Sequence, residues 1–293
     1  MNAKPEPTTP APEFLLEIRP RQGLTAFDFS ELWRYRELFW FLAWRDILVR
    51  YKQTAIGIAW AVIRPLLTTV LLVFIFNKVG KISAPAGMPY ALLVLAANLP
   101  WQFFATSLSD SSNSLVSNSG MISKVYFPRL IIPSSAVITS FVDFLITLGL
   151  MALAMVLFQF VPDWRLLTLP LFMVLAIGAS LGTGLWLSAL NVEYRDFRYI
   201  VPFIVQFGML ASPVGYAAAK VPEKWQFLYS LNPMVGVIEG FRWALLRGGP
   251  PPLPGETPML SMAVVSSVCV TAILCISGLW YFRKMERKFA DII

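Results

Sequence analysis

The chain has 293 residues, 57% of them hydrophobic and only 14% charged. Soluble domains carry roughly 25% charged residues, so this composition excludes an ordinary water-soluble domain and points to an integral membrane protein. The net charge of +7 is then no nucleic-acid footprint, because Lys and Arg in such proteins mark the cytoplasmic side and the anionic leaflet.

Residues 1–27 are polar and Pro-rich, without the charged-then-apolar layout of a cleaved signal peptide. They read as a disordered cytoplasmic tail. Residues 28–55 read as an amphipathic helix at the cytoplasmic interface. Asp28 and Glu31 have capping-box spacing. Trp33, Trp40, Trp44, Ile47 and Tyr51 share one narrow stripe of the helical wheel, and Trp and Tyr favour the headgroup level. The cations Arg34, Arg36, Arg45, Arg50 and Lys52 either satisfy the positive-inside bias or meet a phosphate-bearing lipid.

Six segments are long and apolar enough to span: 56–76, 89–109, 131–160, 166–190, 199–218 and 258–282. The fifth contains Pro202, Gln206 and Pro213, which predicts a broken helix or one lining a wet space. With the N-terminus inside, the inner connections hold sixteen Lys and Arg and the outer ones seven. This ratio places both termini in the cytoplasm. The fold class is therefore all-α, with residues 56–283 as the transmembrane domain and 284–293 as a short cytoplasmic tail.

Two intramembrane charges stand out. Arg64 lies eight residues past Ile56 and Asp143 twelve past Ile131, about 12 and 18 Å at helical rise. Each should face protein or water, so they are candidates to pair with one another, unless Arg64 snorkels to the inner interface. Gly178 and Gly182 form a G-x-x-x-G that permits close helix approach, within or between subunits. Cys269 and Cys275 fall on different faces of one apolar helix and read as packing residues.

The connection 219–257 is rich in aromatics, including Trp225 and Tyr229. In "NPMVGVIEGFRWALL", Asn232 suits an N-cap and Pro233 the first helical position. The segment reads as an external pair of re-entrant helices, or as an aromatic belt at the interface.

Several chemistries are missing. The chain has no histidine, the commonest metal ligand and the usual general base near neutral pH. No Lys is followed by Ser or Thr, so there is no P-loop. Asp110 and Asp143 have no acidic neighbour in their own helices. The chain has no engine of its own, and six spans rarely enclose a wide conduit unless two copies join.

The connection between spans two and three, "SNSLVSNSGMISKVYFPRLIIP", interrupts two greasy segments with cations, aromatics and a proline. Together with "YKQTAIGIAWAVIRPLL" (51–67), "NVEYRDFRYIVPFIVQFGMLASPVGY" (191–216) and "LNPMVGVIEGFRWALL" (231–246), it resembles the ABC-2 type (type V) permeases that export lipid-linked polysaccharides such as O-antigen, capsule or teichoic acid. The resemblance covers about residues 28–290.

The resemblance implies a homodimer working with two copies of a cytoplasmic ABC ATPase in the bacterial inner membrane. ATP and Mg would belong to the partner, and this chain would bind no cofactor. A short helix over Ser114–Tyr126 would dock on the ATPase through Ser114, Asn118, Met121, Lys124, Tyr126, Phe127 and Arg129. Arg195 and Asp196 would make a second contact. Trp101, Phe103, Phe104, Tyr216, Trp225 and Tyr229 would line the glycan path. Arg36, Arg45, Arg50 and Lys52 would meet the polyprenyl-pyrophosphate group. The rival reading is an ABC-2 exporter of a drug or other small hydrophobic molecule.

Overall fold

A computed structural model describes residues 33–52, 59–82, 88–218, 221–246, 259–286 and 288–289. The expected tail over 1–27 lies outside the described residues. All regular structure among the described residues is helical, as composition and hydropathy predicted.

Helix α1 (Arg36–Lys52) precedes α2 (Ala59–Leu72), which continues as a π-helical stretch over Val73–Val79. Next come α3 (Tyr90–Ser117), the single turn α4 (Ser119–Ile122) and α5 (Ile131–Leu157). A 3-10 turn over Trp164–Thr168 leads into α6 (Leu169–Glu193). Then follow α7 (Phe197–Leu210), α8 (Glu223–Ser230), α9 (Pro233–Leu245) and α10 (Met259–Glu286).

Five of these stretches are long and apolar enough to cross a membrane: 59–79, 90–117, 131–157, 164–193 and 262–286. The expected fifth span is shorter than its sequence suggested. It is the 14-residue α7, about 21 Å long at helical rise against a hydrocarbon core of about 30 Å. The chain then turns through Ala211–Gly215, where Pro213 cannot continue a helix.

Helix α3 is the centre of the bundle and packs against α2, α5, α6, α7 and α9. Its surface is lined with small residues. Ala96, Ala97, Ser107, Ser111, Ser112 and Ser114 are all buried, and small side chains let neighbouring backbones approach. At Gly184 of α6 an added Cβ would sit 2.6 Å from Ser111 Oγ. The G-x-x-x-G of α6 also works within the chain. A Cβ on Gly182 would lie 2.7 Å from the backbone nitrogen of Cys275 in α10. Cys269 and Cys275 are free thiols, and Cys275 Sγ donates to the Gly178 carbonyl at 3.1 Å.

The 219–257 connection contains the expected helix pair. Asn232 caps α9, accepting from Met234 N at 3.0 Å, with Pro233 in the first turn. Helix α9 is buried among α3, α6 and α10, which is more than an aromatic belt would achieve. The apolar side chains of Met234, Val235, Val237, Ile238 and Phe241 drive that burial.

Trp33, just before helix α1, and Trp40 and Trp44 on it are exposed, while Leu42 and Ala43 are buried. The helix does not lie flat across the helix ends. Arg45 bonds Asn118 at the end of α3, whereas Arg50 bonds Asp110 further back along α3 and Asp143 deep in α5. Helix α1 therefore climbs the bundle. Helix α10 runs to Glu286, past the boundary at 283, and Phe289 folds back into a buried cluster.

Candidate functional site

The 110–130 connection is built as a platform. The helix expected over Ser114–Tyr126 is interrupted: α3 ends at Ser117, α4 is one turn, and 123–130 is a loop. Asn118 causes the break, with its Nδ2 donating to the Ser114 carbonyl at 2.9 Å and its Oδ1 accepting from Arg45 at 2.9 Å. Ile122, Phe127 and Leu130 are buried in one cluster with Leu42, Leu115, Phe282 and Phe289. The loop between Ile122 and Phe127 therefore stands off a fixed base. Lys124, Val125 and Tyr126 are exposed, Tyr126 to 76%. A shallow pocket opens among Ile122–Phe127 and Arg129.

This divides the expected coupling residues. Lys124 and Tyr126 face outward, and Met121 is half-buried. Ser114 and Phe127 are buried, and Asn118 is committed to Arg45, so these three hold the base and do not present it. Arg129 is also internal. Its guanidinium donates to the Glu286 carbonyl, its backbone N–H donates to Glu286 Oε1 at 3.2 Å, and it stacks 5.9 Å over Phe289. Arg195 and Asp196 are exposed beside the start of α7.

The charge cluster above the platform corrects a second expectation. Asp143 pairs with Arg50 at 2.5 Å and accepts from the Tyr51 hydroxyl. Arg50 also pairs with Asp110, which accepts from Ser140 Oγ at 3.3 Å. Arg64 is exposed and makes no bond to Asp143. Helix α1 delivers Arg50 into the bundle, so the partner of Asp143 comes from outside the spans. Burial works against the Arg50 charge, but the two carboxylates outweigh it and raise its pKa. Burial, then the bond to Asp143, pushes the Tyr51 phenol up. Arg45 is likewise engaged, with Asp46 at 2.7 Å and Asn118. Of the four expected pyrophosphate ligands, only Arg36, which lies over the Trp33 ring, and Lys52 are exposed.

Residues 37–246 match the family model for the ABC-2 type transporter. The chain belongs to the ABC-2 transporter family. Among its relatives is the O-antigen export system permease protein RfbA of Klebsiella pneumoniae, 29% identical over 251 residues, covering 85% of this chain and 92% of the relative. The RfbA protein of Myxococcus xanthus is 27% identical over 265 residues, 90% of this chain and 98% of the relative. The polysialic acid transport protein KpsM of Escherichia coli is 20% identical over 205 residues, 70% and 79% of the two chains.

In this ABC-2 protein the expected conduit aromatics also divide. Trp101, Phe103 and Phe104 are buried in the chain's own core. Trp101 fills the space above Gly208 of α7, where a Cβ would lie 2.8 Å from its ring. Phe103 meets Phe144 edge-on at 6.0 Å. Trp225 is exposed, while Tyr216 and Tyr229 are half-buried and joined hydroxyl to hydroxyl at 3.1 Å. Sequence reading missed the exposed aromatic face of α7, made by Tyr199, Phe203 and Phe207. The i, i+4 spacing of these three was the available signal. Gln206 is exposed on the same helix, a poor fit to lipid.

Sequence reading also missed Arg242. Buried on α9, it donates to the carbonyls of Leu93 (3.4 Å), Val214 (3.1 Å) and Tyr216 (2.8 Å), and to Glu239 at 3.0 Å. Glu239 in turn accepts from Ala218 N at 3.1 Å. Glu239 and Arg242 within an apolar helix were the legible clue. One motif is coincidental. Gly178-Ala179-Ser180-Leu181-Gly182 has G-x-S-x-G spacing, but it lies mid-helix in α6, and Ser180 Oγ donates to the Ile177 carbonyl at 3.0 Å. No histidine exists to activate it.

Proposed function

We propose that the chain is the permease subunit of an ATP-driven exporter of a lipid-linked polysaccharide. Two copies work with two copies of a separate ABC ATPase in the bacterial inner membrane, with both termini cytoplasmic. The observation that carries the partner is the exposed Lys124–Tyr126 loop on a base fixed from two sides. A chain without a P-loop needs a handle for one that has it. The cargo rests on relatives named for O-antigen and polysialic acid transport, matched over most of their length. ATP and Mg are held by the partner.

In this mechanism the partner's closure moves the Lys124–Tyr126 loop. The exposed contact at Arg195 and Asp196 moves the start of α7. The Tyr199, Phe203 and Phe207 face of α7 turns toward the polymer. Sugar C–H faces stack on these rings, and Gln206 takes hydroxyls, so a chain slides without being gripped at one point. Arg36 and Lys52 remain free to meet the pyrophosphate at the inner surface.

The test is co-purification of the cognate ATPase with Lys124→Glu/Tyr126→Ala permease, alongside glycan export. Retained ATPase should fall about tenfold, as for loss of an interfacial hot spot, and export should fall with it. The permease's own melting temperature should not move. Undiminished co-purification and export would remove the proposal. Export of a small hydrophobic compound with no glycan would replace the cargo.

A further inference from the structure

The base of the coupling loop is held by the far end of the chain. Glu286 Oε1 accepts from the backbone N–H of Arg129, the Glu286 backbone carbonyl accepts from the Arg129 guanidinium, and Glu286 Oε2 accepts from Arg283 at 3.3 Å. Pro128 has no N–H, so Arg129 offers the first backbone donor after the turn. Phe289 is fully buried, packs edge-on to Phe282 at 5.4 Å and shares a cluster with Ile122 and Phe127, the two residues that flank the exposed loop.

The opposite end of α10 is tied to the re-entrant pair. Gly236 N of α9 donates to Ser267 Oγ at 3.0 Å, and Ser230 of α8 bonds Ser266 at 3.3 Å. A Cβ on Gly236 would collide with the Ala263 carbonyl, so these backbones are in direct contact. From Ser267 to Glu286 the helix spans about 28 Å.

We infer that α10 is a mechanical link between the coupling loop and the α8–α9 pair, with Glu286 and Phe289 as its positioning joint. The inference rests on the proposed function, and it assigns a task to residues that otherwise read as a short tail. A motion of Lys124–Tyr126 reaches Ile122, Phe127 and Arg129. It passes to α10 through Glu286 and Phe289, and shifts the helix pair at the other end. These residues position the loop and do not touch the partner.

The experiment uses the full permease with its ATPase in membrane vesicles. A thiol is introduced by Trp225→Cys on α8, in a Cys269→Ala/Cys275→Ala background, and its labelling by an impermeant maleimide is followed with and without ATP. Glu286→Ala and Phe289→Ala should retain the ATPase. The ATP-dependent change in labelling should shrink, and export per ATP hydrolysed should fall roughly two- to thirtyfold, the range of coupling effects along such chains. Phe289→Leu, which keeps the apolar contact, should restore both.

An unaltered ATP response in Glu286→Ala and Phe289→Ala overturns the link. So does a loss of bound ATPase with unchanged export per bound ATPase, which would place these residues on the docking face. If either alanine variant fails to accumulate, Glu286→Leu, which removes the side-chain acceptor and keeps the bulk, and Phe289→Val are read by the same criteria. A wild-type complex that shows the ATP response without exporting glycan defeats the proposed cargo alone. The link then stands if the brace variants abolish that response.

Discussion

Arg242 and Arg50 are both drawn away from water, at opposite ends of the bundle, and they are held in different ways. Arg242 aims its donors at three backbone carbonyls and one acid on its own helix. Arg50 aims at two carboxylates from two other helices. The Arg242 side chain is 8% exposed and that of Arg50 30%. The first arrangement fixes a chain path, because carbonyls have no alternative charge state. The second ties three elements by charge and leaves a surplus of one negative charge when both acids are ionised. The Tyr51 and Ser140 hydroxyls donate into that surplus.

The comparison is broken most severely at Arg242. Arg242→Ala leaves Glu239 without its cation and three carbonyls without their donor. It should cost about 3–5 kcal/mol, the range for stripping one partner from a buried charge, read as a lowered melting temperature in detergent. Arg242→Lys should not rescue it, since a point charge cannot reach the same fan of acceptors. Arg50→Ala should cost less, about 1–3 kcal/mol, because water screens its partly exposed acids. A double-mutant cycle sharpens the assignment. Arg50→Ala and Asp143→Ala should couple by more than about 0.5 kcal/mol, while Arg64→Ala and Asp143→Ala should add within that margin.

The two arginines also mark how far the sequence could be read. Five spans were legible because a bilayer demands long apolar helices, and Asn232–Pro233 announced α9 by local capping chemistry alone. The 110–130 connection was legible as an interruption between two spans and only partly as a set of contacts. Lys124 and Tyr126, expected to meet a partner, are exposed. Its internal residues, Asn118, Phe127 and Arg129, were misassigned, because a cation that bonds its own chain looks the same in sequence as one that awaits a partner. Arg64 was matched to Asp143 by depth along two spans, and depth says nothing about a third helix arriving from the side. Trp101, Phe103 and Phe104 failed for a related reason: an aromatic ring serves a core or a conduit equally well until its neighbours are known.

A single hydroxyl tests the surplus-charge idea. Tyr51→Phe removes one hydroxyl donor to Asp143 and keeps the ring, so it should cost about 1.5 kcal/mol or somewhat more, as for a hydrogen bond to a charged group. In an Asp143→Asn background the surplus is gone, and the same change should cost clearly less. The alkaline limb gives an independent sign. Burial, then the bond to Asp143, raises the Tyr51 pKa in the folded state. Its contribution is therefore intact below the unfolded phenol pKa of about 10 and declines as pH rises beyond it. Above that pH the wild-type chain should lose stability more steeply than Tyr51→Phe. Parallel slopes would mean that the Tyr51 proton is not held by the carboxylate, and that Arg50 alone offsets both acids.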